Sequence, residues 1–256
     1  MITVLRSAFA EEDGLDVAVS RALLLEASEG AIGETFRLHV PGRVVAFGKQ
    51  DVLEPGYGAA VSIARELGYT PVQRLAGGRA AVFHELTLSF TWTIPDPDPT
   101  SSVQARFDRT AALVVRAFAR LGIDSEVGEI PGEYCPGRHS VNHRGRLKLM
   151  GVGQRLSRHA AHVGGVIVVG GADLVNRPLI PVYEALGIGF DPAATGSLQD
   201  IDPSLEVEDA IAAVTVEVAA LDETVEGEVS MRTIDRARAL VADHVADGGD
   251  APSSRL

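Results

Sequence analysis

Segments of alternating apolar character come in adjacent pairs along this chain, with too little sequence between the members of a pair for a crossover helix. Phe36, Leu38 and Val40 alternate with Arg37 and His39, the pattern of a half-buried strand, and Pro41-Gly42 turns directly into a second strand over residues 43–47. Further strands are expected near 71–74, 80–83 and 87–93, and again near 147–150 and 163–169. Helices are expected where the period changes. Leu15, Ala18, Val19, Ala22 and Leu25 share one face before Gly30, and Phe107, Ala111, Val114, Phe118 and Leu121 share another before Gly122. Shorter or later helices are expected over 58–67, 207–221 and 230–246, with an irregular stretch at 170–205 and a solvated tail at 247–256. Paired strands argue for an α/β (α+β) protein built on a central mixed, mostly antiparallel sheet packed by helices, and against a doubly wound parallel sheet. No internal repeat or shift of composition marks a boundary, so residues 1–246 are expected to form one domain.

With 256 residues, 46% of them hydrophobic, the chain can bury a sizeable core. Its net charge of -12 disfavours general nucleic-acid binding, which depends on Lys and Arg neutralising phosphates. No apolar run reaches the roughly 18 residues of a membrane span. One cysteine precludes an internal disulfide and fits a reducing compartment, so a cytoplasmic location is expected.

That cysteine, Cys135, lies in Glu-Tyr-Cys-Pro-Gly, and from Tyr134 to Ala172 there is no Asp or Glu. The same stretch holds Arg138, Arg144, Arg146, Lys148, Arg155 and Arg158. A cationic setting favours the thiolate, the nucleophilic form of the side chain. Two glycine-containing segments are also candidates. Gly77-Gly78 lies between two expected strands with Arg74 and Arg79 on either side, where the backbone could approach a ligand closely. Taken alone, such a pair reads more readily as an ordinary hairpin turn. Lys148 ends an expected strand just before a Gly151-x-Gly153 turn and could point into a cleft, although strand-end lysines usually reach for water. Neither segment is a dinucleotide fingerprint or a phosphate loop, and with one cysteine and no nearby carboxylate a metal site is not expected.

Together these segments resemble the biotin/lipoate protein ligase and transferase family. Arg74 to His84 is similar to its Arg-Arg-x-Ser-Gly-Gly-Gly-Ala-Val-(Tyr/Phe)-His signature, and Leu147-Lys148-Leu149-Met150-Gly151 to its Lys-x-x-Gly element. Val45 to Gln50 looks like its early strand and turn, so the resemblance covers roughly residues 10 to 220. Tyr134-Cys135-Pro136-Gly137 followed by Lys148, Gly151, Gln154 and Arg155 looks most like the cysteine-dependent octanoyl/lipoyl amidotransferase branch. The resemblance implies a class II synthetase-like fold. It implies transfer of an octanoyl or lipoyl group to a lysine of a lipoyl-domain or glycine-cleavage carrier protein, with no cofactor. Cys135 would carry the acyl group, and Lys148 would be the activating or oxyanion-binding lysine. Arg74, Gly77, Gly78 and His84 would line the acyl pocket, with Gly151 and Gln154 also at the substrate. Gln73, Ala76 and Arg79 depart from the signature where the ATP-dependent ligases hold acyl-adenylate, which tilts the resemblance toward the transferase. The alternatives are a lipoate–protein ligase using ATP and Mg, and a non-catalytic lipoyl-binding module. A module that only binds needs neither Cys135 nor Lys148.

Overall fold

The computed structural model describes residues 1–247; from residue 248 on, the expected tail lies outside the described residues. In chain order the elements are β1 (Ile2–Leu5), α1 (Leu15–Ser28), β2 (Thr35–His39), β3 (Val44–Phe47), α2 (Lys49–Val52), α3 (Tyr57–Glu66), β4 (Thr70–Gln73), β5 (Ala81–Phe83) and β6 (Thr87–Pro95). They continue as α4 (Val103–Arg120), β7 (Glu126–Val127), β8 (Val141–His143), β9 (Leu147–Leu156), β10 (Ala160–Val168), α5 (Ala172–Leu186), α6 (Val207–Ala219), β11 (Thr224–Gly227) and α7 (Met231–Leu240). Among the described residues these form a large mixed sheet in the order β11-β1-β2-β6-β10-β9-β8-β7 and a small one in the order β4-β3-β5. Only β1 with its two neighbours, and β3 with β4, pair in parallel; the other pairings are antiparallel. No helix of the described residues is long and apolar enough to cross a membrane.

Period-two alternation sends the two faces of the large sheet to different environments. Phe36, Leu38, Phe90, Trp92, Val163 and Ile167 point into the main core, where Ala111, Val114 and Phe118 of α4 and Ala210, Val214 and Val218 of α6 cover them. Each fully buried Phe or Leu of this layer contributes about 1.5–3 kcal/mol relative to an exposed one. The opposite face carries Ser89, Thr91, His39 and His162, and α1 and the small sheet lie on that side. Val45, Phe47 and Val82 of the small sheet pack with α3 and α5 into a second core. Their alternate neighbours Val44, Ala46, Ala81 and Phe83 face back toward the large sheet, and the gap between the two sheets is the cavity described below.

Three expectations need correction. The stretch 170–205 is not irregular: α5 occupies Ala172–Leu186 despite Pro178 and Pro181 inside it. A proline inside a helix leaves the carbonyl four residues back without its donor. For Pro178 that carbonyl is Leu174 O, and the Tyr69 hydroxyl donates to it at 2.9 Å. Second, Gly151 and Gly153 form no turn; they lie inside β9, opposite Val166 and Gly164 of β10. They mark close approach instead, since a Cβ at Gly153 would sit 3.0 Å from Gly77 O and 3.1 Å from Ala76 Cβ. Third, α7 stops at Leu240 rather than running to 246. The chain then serves the open edge of β4: Val245 bridges Val72, and Gln73 N donates to His244 O at 2.8 Å.

Candidate active site

Cys135 sits on a turn between β7 and β8, at the rim of a cavity of about 120 Å³ enclosed by the two sheets and the first turns of α1. At 10–15 Å³ of such volume per water, this is room for roughly ten methylene-sized groups. The walls are made by small or short side chains: Ala46, Ala76, Ala81, Gly151, Gly164 and Gly165, with Val44, Phe83, Val152 and Val166 as the apolar lining. A Cβ at Gly164 would sit 2.6 Å from His162 Nε2, so the glycine keeps that space open.

Cys135 has a φ of +43°, one of two non-glycine residues with positive φ in the described chain. Such a conformation costs on the order of 1–3 kcal/mol and persists only where the surroundings impose it. Here they do. Cys135 N donates to the Tyr183 hydroxyl at 2.9 Å, and that hydroxyl donates to Ala80 O at 2.9 Å. Glu133, two residues earlier and with a fully buried carboxylate, accepts from Gly137 N at 2.9 Å and Ser140 Oγ at 2.7 Å. Lys148 Nζ donates to Tyr134 O and Cys135 O, each at 2.8 Å, and lies 3.3 Å from Glu133 Oε1. Burial pulls the Lys148 ammonium below the usual lysine range, and Cys135 and Glu133 push it back up. The same desolvation holds the Tyr134 and Tyr183 phenols well above theirs.

The thiol itself faces the Gly77-Gly78 loop. Arg79 N donates to Sγ at 3.2 Å and Arg74 Nη1 at 3.5 Å. Gly78, with φ +112°, is there because nothing larger fits: a Cβ would meet Sγ at 2.8 Å and Arg74 Nη1 at 3.1 Å. The Arg79 guanidinium turns away to Asp51 Oδ1 at 3.3 Å and Glu54 Oε1 at 2.7 Å.

Of the residues expected from the sequence, Arg74, Cys135, Lys148 and Gly151 line the cavity, and Gly78 touches the thiol from its rim. Gly77 N donates to Gln154 O at 3.4 Å on the outer side of the loop. The Gln154 side chain lies outside the cavity wall, accepting from Arg106 Nε at 3.0 Å and donating to Val103 O at 2.8 Å, so it ties the start of α4 to β9. His84 is fully buried in the β5–β6 turn, where its Nδ1 accepts from Leu86 N at 3.2 Å; it is no part of the cavity wall. Two residues were missed. Glu133 stands one position before the carboxylate-free stretch, and Tyr183 belongs to the stretch read as irregular.

The family model of the Lipoyl protein ligase A/B catalytic domain matches residues 15–236. An octanoyl-[GcvH]:protein N-octanoyltransferase of Geobacillus kaustophilus is 29% identical over 170 residues, 66% of this chain and 60% of that protein. The enzyme of the same description from Exiguobacterium sibiricum is 27% identical over 162 residues, 63% of this chain and 59% of that protein. The matched part thus spans about 60% of the length of these relatives. Among solved structures, a lipoate-protein ligase A bound with ATP superposes with a TM-score of 0.74 at 15% identity, over 94% of this chain and 93% of that one. A bi-partite lipoate protein ligase of Thermoplasma acidophilum, studied with its E2 lipoyl domain, gives 0.71 at 14% identity, over 94% and 91%. At such identities the structures speak for the fold alone, and it is the class II synthetase-like fold of the lipoate ligases.

Proposed function

The chain belongs to the Lipoyl protein ligase A/B catalytic domain family, and on that premise we propose that it is an acyltransferase moving an octanoyl or lipoyl group between carrier-protein lysines through a Cys135 thioester. The observation that carries this reading is the single thiol at the rim of an acyl-sized cavity, with a backbone N–H and a guanidinium aimed at its sulfur. In the first step Sγ attacks the donor carbonyl carbon; the C–S bond forms, the donor C–N bond breaks, and the lysine nitrogen leaves as an amine after taking up a proton. In the second, the acceptor lysine amine attacks the thioester; a C–N bond forms, the C–S bond breaks, and the amine proton is released as the thiolate returns. No ATP enters this balance.

The acceptor is a lipoyl domain or a glycine-cleavage carrier protein, in keeping with the names of the relatives. Arg138, Arg144, Arg146, Arg155 and Arg158 are all exposed, and none has a carboxylate within 4.0 Å among the described residues. Arg144 and Arg146 stand at one end of β9 and Arg155 and Arg158 at the other, so on an enzyme of net charge -12 it is Arg138, three residues after Cys135, that would help steer an acidic carrier toward the thiol.

Intact-mass spectrometry after incubation with an octanoylated carrier, with and without ATP, tests the reading. An octanoyl adduct on Cys135 without ATP, absent from Cys135→Ala, is the expected result. Carrier acylation from free lipoate only when ATP is present, undiminished in Cys135→Ala, would replace it with the adenylate-forming ligase.

A further inference from the structure

The cavity that begins at Cys135 ends against a second, smaller one. Gly151 marks its thiol end: a Cβ there would sit 3.4 Å from Lys148 Cε, and Lys148 Nζ donates to Cys135 O at 2.8 Å. From Gly151 one register row crosses the large sheet through Val166 and Ser89 to His39. Three strand spacings make this row about 14 Å long. An extended eight-carbon acyl chain measures roughly 9 Å from carbonyl carbon to methyl, as a zigzag of C–C bonds of about 1.5 Å. The thioester linkage at one end and the wall side chains at the other take up the remainder. Such a chain therefore reaches the far wall, where Asp16, Val17 and Ser20 of α1 and Val44 of β3 stand with His39. Among the described residues, Asp16, Val17 and Val44 also line the second cavity, of about 70 Å³, together with Phe9, Ala10 and Val72. Its charged groups are matched: Glu12 by Arg238, Arg43 by Glu85, and Asp13 Oδ1 accepts from Thr70 Oγ1 at 2.9 Å.

We propose that Val17 and Val44 are specificity-determining residues: they form the partition that stops the acyl chain, and the second cavity is the space denied to longer chains. At 10–15 Å³ per methylene-sized group, the second cavity would hold about five more, so the two spaces merged would fit a chain of about twelve carbons. Neither valine belongs to a packed core. Each is half-buried, whereas Leu15, Ala18 and Val19 around Val17, and Val45 and Phe47 beyond Val44, are core residues. Two methyl groups on Cβ restrict each valine at χ1, so the side chain stands as a wall rather than swinging aside. Asp16, the third shared residue, is tied down: its carboxylate accepts from Phe9 N at 3.1 Å and from the fully buried Arg37. The valines are the part of the partition that can be cut back without orphaning a charge. A chain longer than the partition allows must overpack the far wall or leave its end outside the cavity.

The inference rests on the thioester reading and names the acyl class that the site accepts. The probes are N-acetylcysteamine thioesters of octanoic and dodecanoic acid. Cys135 Sγ attacks the thioester carbonyl; a new C–S bond forms, the old one breaks, and N-acetylcysteamine leaves as a thiol, taking up the proton that the Cys135 thiol gives up. Cys135 is the only thiol in the chain, so intact-mass spectrometry reads its acylation rate with each probe, and circular dichroism confirms the fold. Wild type is expected to take octanoyl about tenfold faster than dodecanoyl. Val17→Ala combined with Val44→Ala is expected to raise the dodecanoyl-to-octanoyl ratio about tenfold, and each single substitution about threefold. Equal rates with the two probes in wild type, or an unmoved ratio in the double variant, would overturn the assignment. If the double variant does not fold, the single variants decide by the same outcomes. Absence of any adduct in wild type would count against the thioester reading. The partition is then read from calorimetric binding of free octanoate and dodecanoate, where a tenfold shift of the affinity ratio in the double variant supports it and an unmoved ratio overturns it.

Discussion

Acidification should destabilise this protein well before its carboxylates titrate, and the cause is two histidines on the polar face of the large sheet. His39 and His162 are buried, and burial pushes both imidazoles down to about 3; Arg37 adds to the effect at His39, and Arg74 at His162. An unfolded histidine titrates near 6.5. Between those values the unfolded chain binds a proton that the native state refuses, so stability rises with pH through the window and is fully restored above 6.5. Integrated from pH 6.5 down to 5, each histidine withdraws about 1.6 kcal/mol, and the two together about 3 kcal/mol. His84 and His244, also lowered mainly by burial, act with the same sign. Exposed carboxylates titrate mostly below pH 5 and barely enter this range. Urea unfolding at pH 7, 6 and 5, with wild type and His162→Gln side by side, reads the slope directly. The variant should lose about 1.9 kcal/mol less stability than wild type between pH 7 and pH 5. A wild-type loss under about 1 kcal/mol across the window, or one that His162→Gln does not reduce, would refute the claim that these rings are held neutral.

Gly78→Val should cut acyl transfer at least tenfold while costing about 1–3 kcal/mol of stability, because the new side chain would be forced against Cys135 Sγ at a positive φ; transfer rates and urea midpoints on the same preparation check it, and outright unfolding would make the loop structural. Glu133→Ala should cost about 3–5 kcal/mol by leaving the Lys148 ammonium buried without its carboxylate; chemical denaturation of the variant beside wild type checks it.

Local patterns reached far into this fold. The alternation of Phe36 and Leu38 with Arg37 and His39, and the helical spacing of Ala111, Val114 and Phe118, are statements about which face meets the core, and the core enforces them. What stayed hidden depended on partners distant in sequence. Whether Pro178 breaks a helix depends on Tyr69, 109 positions earlier than Pro178, donating to the carbonyl that the proline leaves open. Gly151 and Gly153 look like a turn until β10 and the Gly77 loop close over them. At the site, the composition of the stretch from Tyr134 to Ala172 drew attention to the thiol, which the structure places at the cavity rim, but it implied an excess of positive charge around Lys148. Glu133, a single residue outside that stretch, folds back and cancels it. Charge read along a sequence is not the charge felt at an atom.

The Tyr183 hydroxyl bonds Cys135 N on one side and Ala80 O on the other, and so rivets the Cys135 turn to the end of the glycine loop. Mechanically, the backbone of Cys135 and the end of the glycine loop are held to the same point of α5. Pressure on the rim of the cavity can therefore leave the alignment of Sγ with Arg79 N in place, because that alignment is carried by α5, rooted in the second core, rather than by the exposed surface.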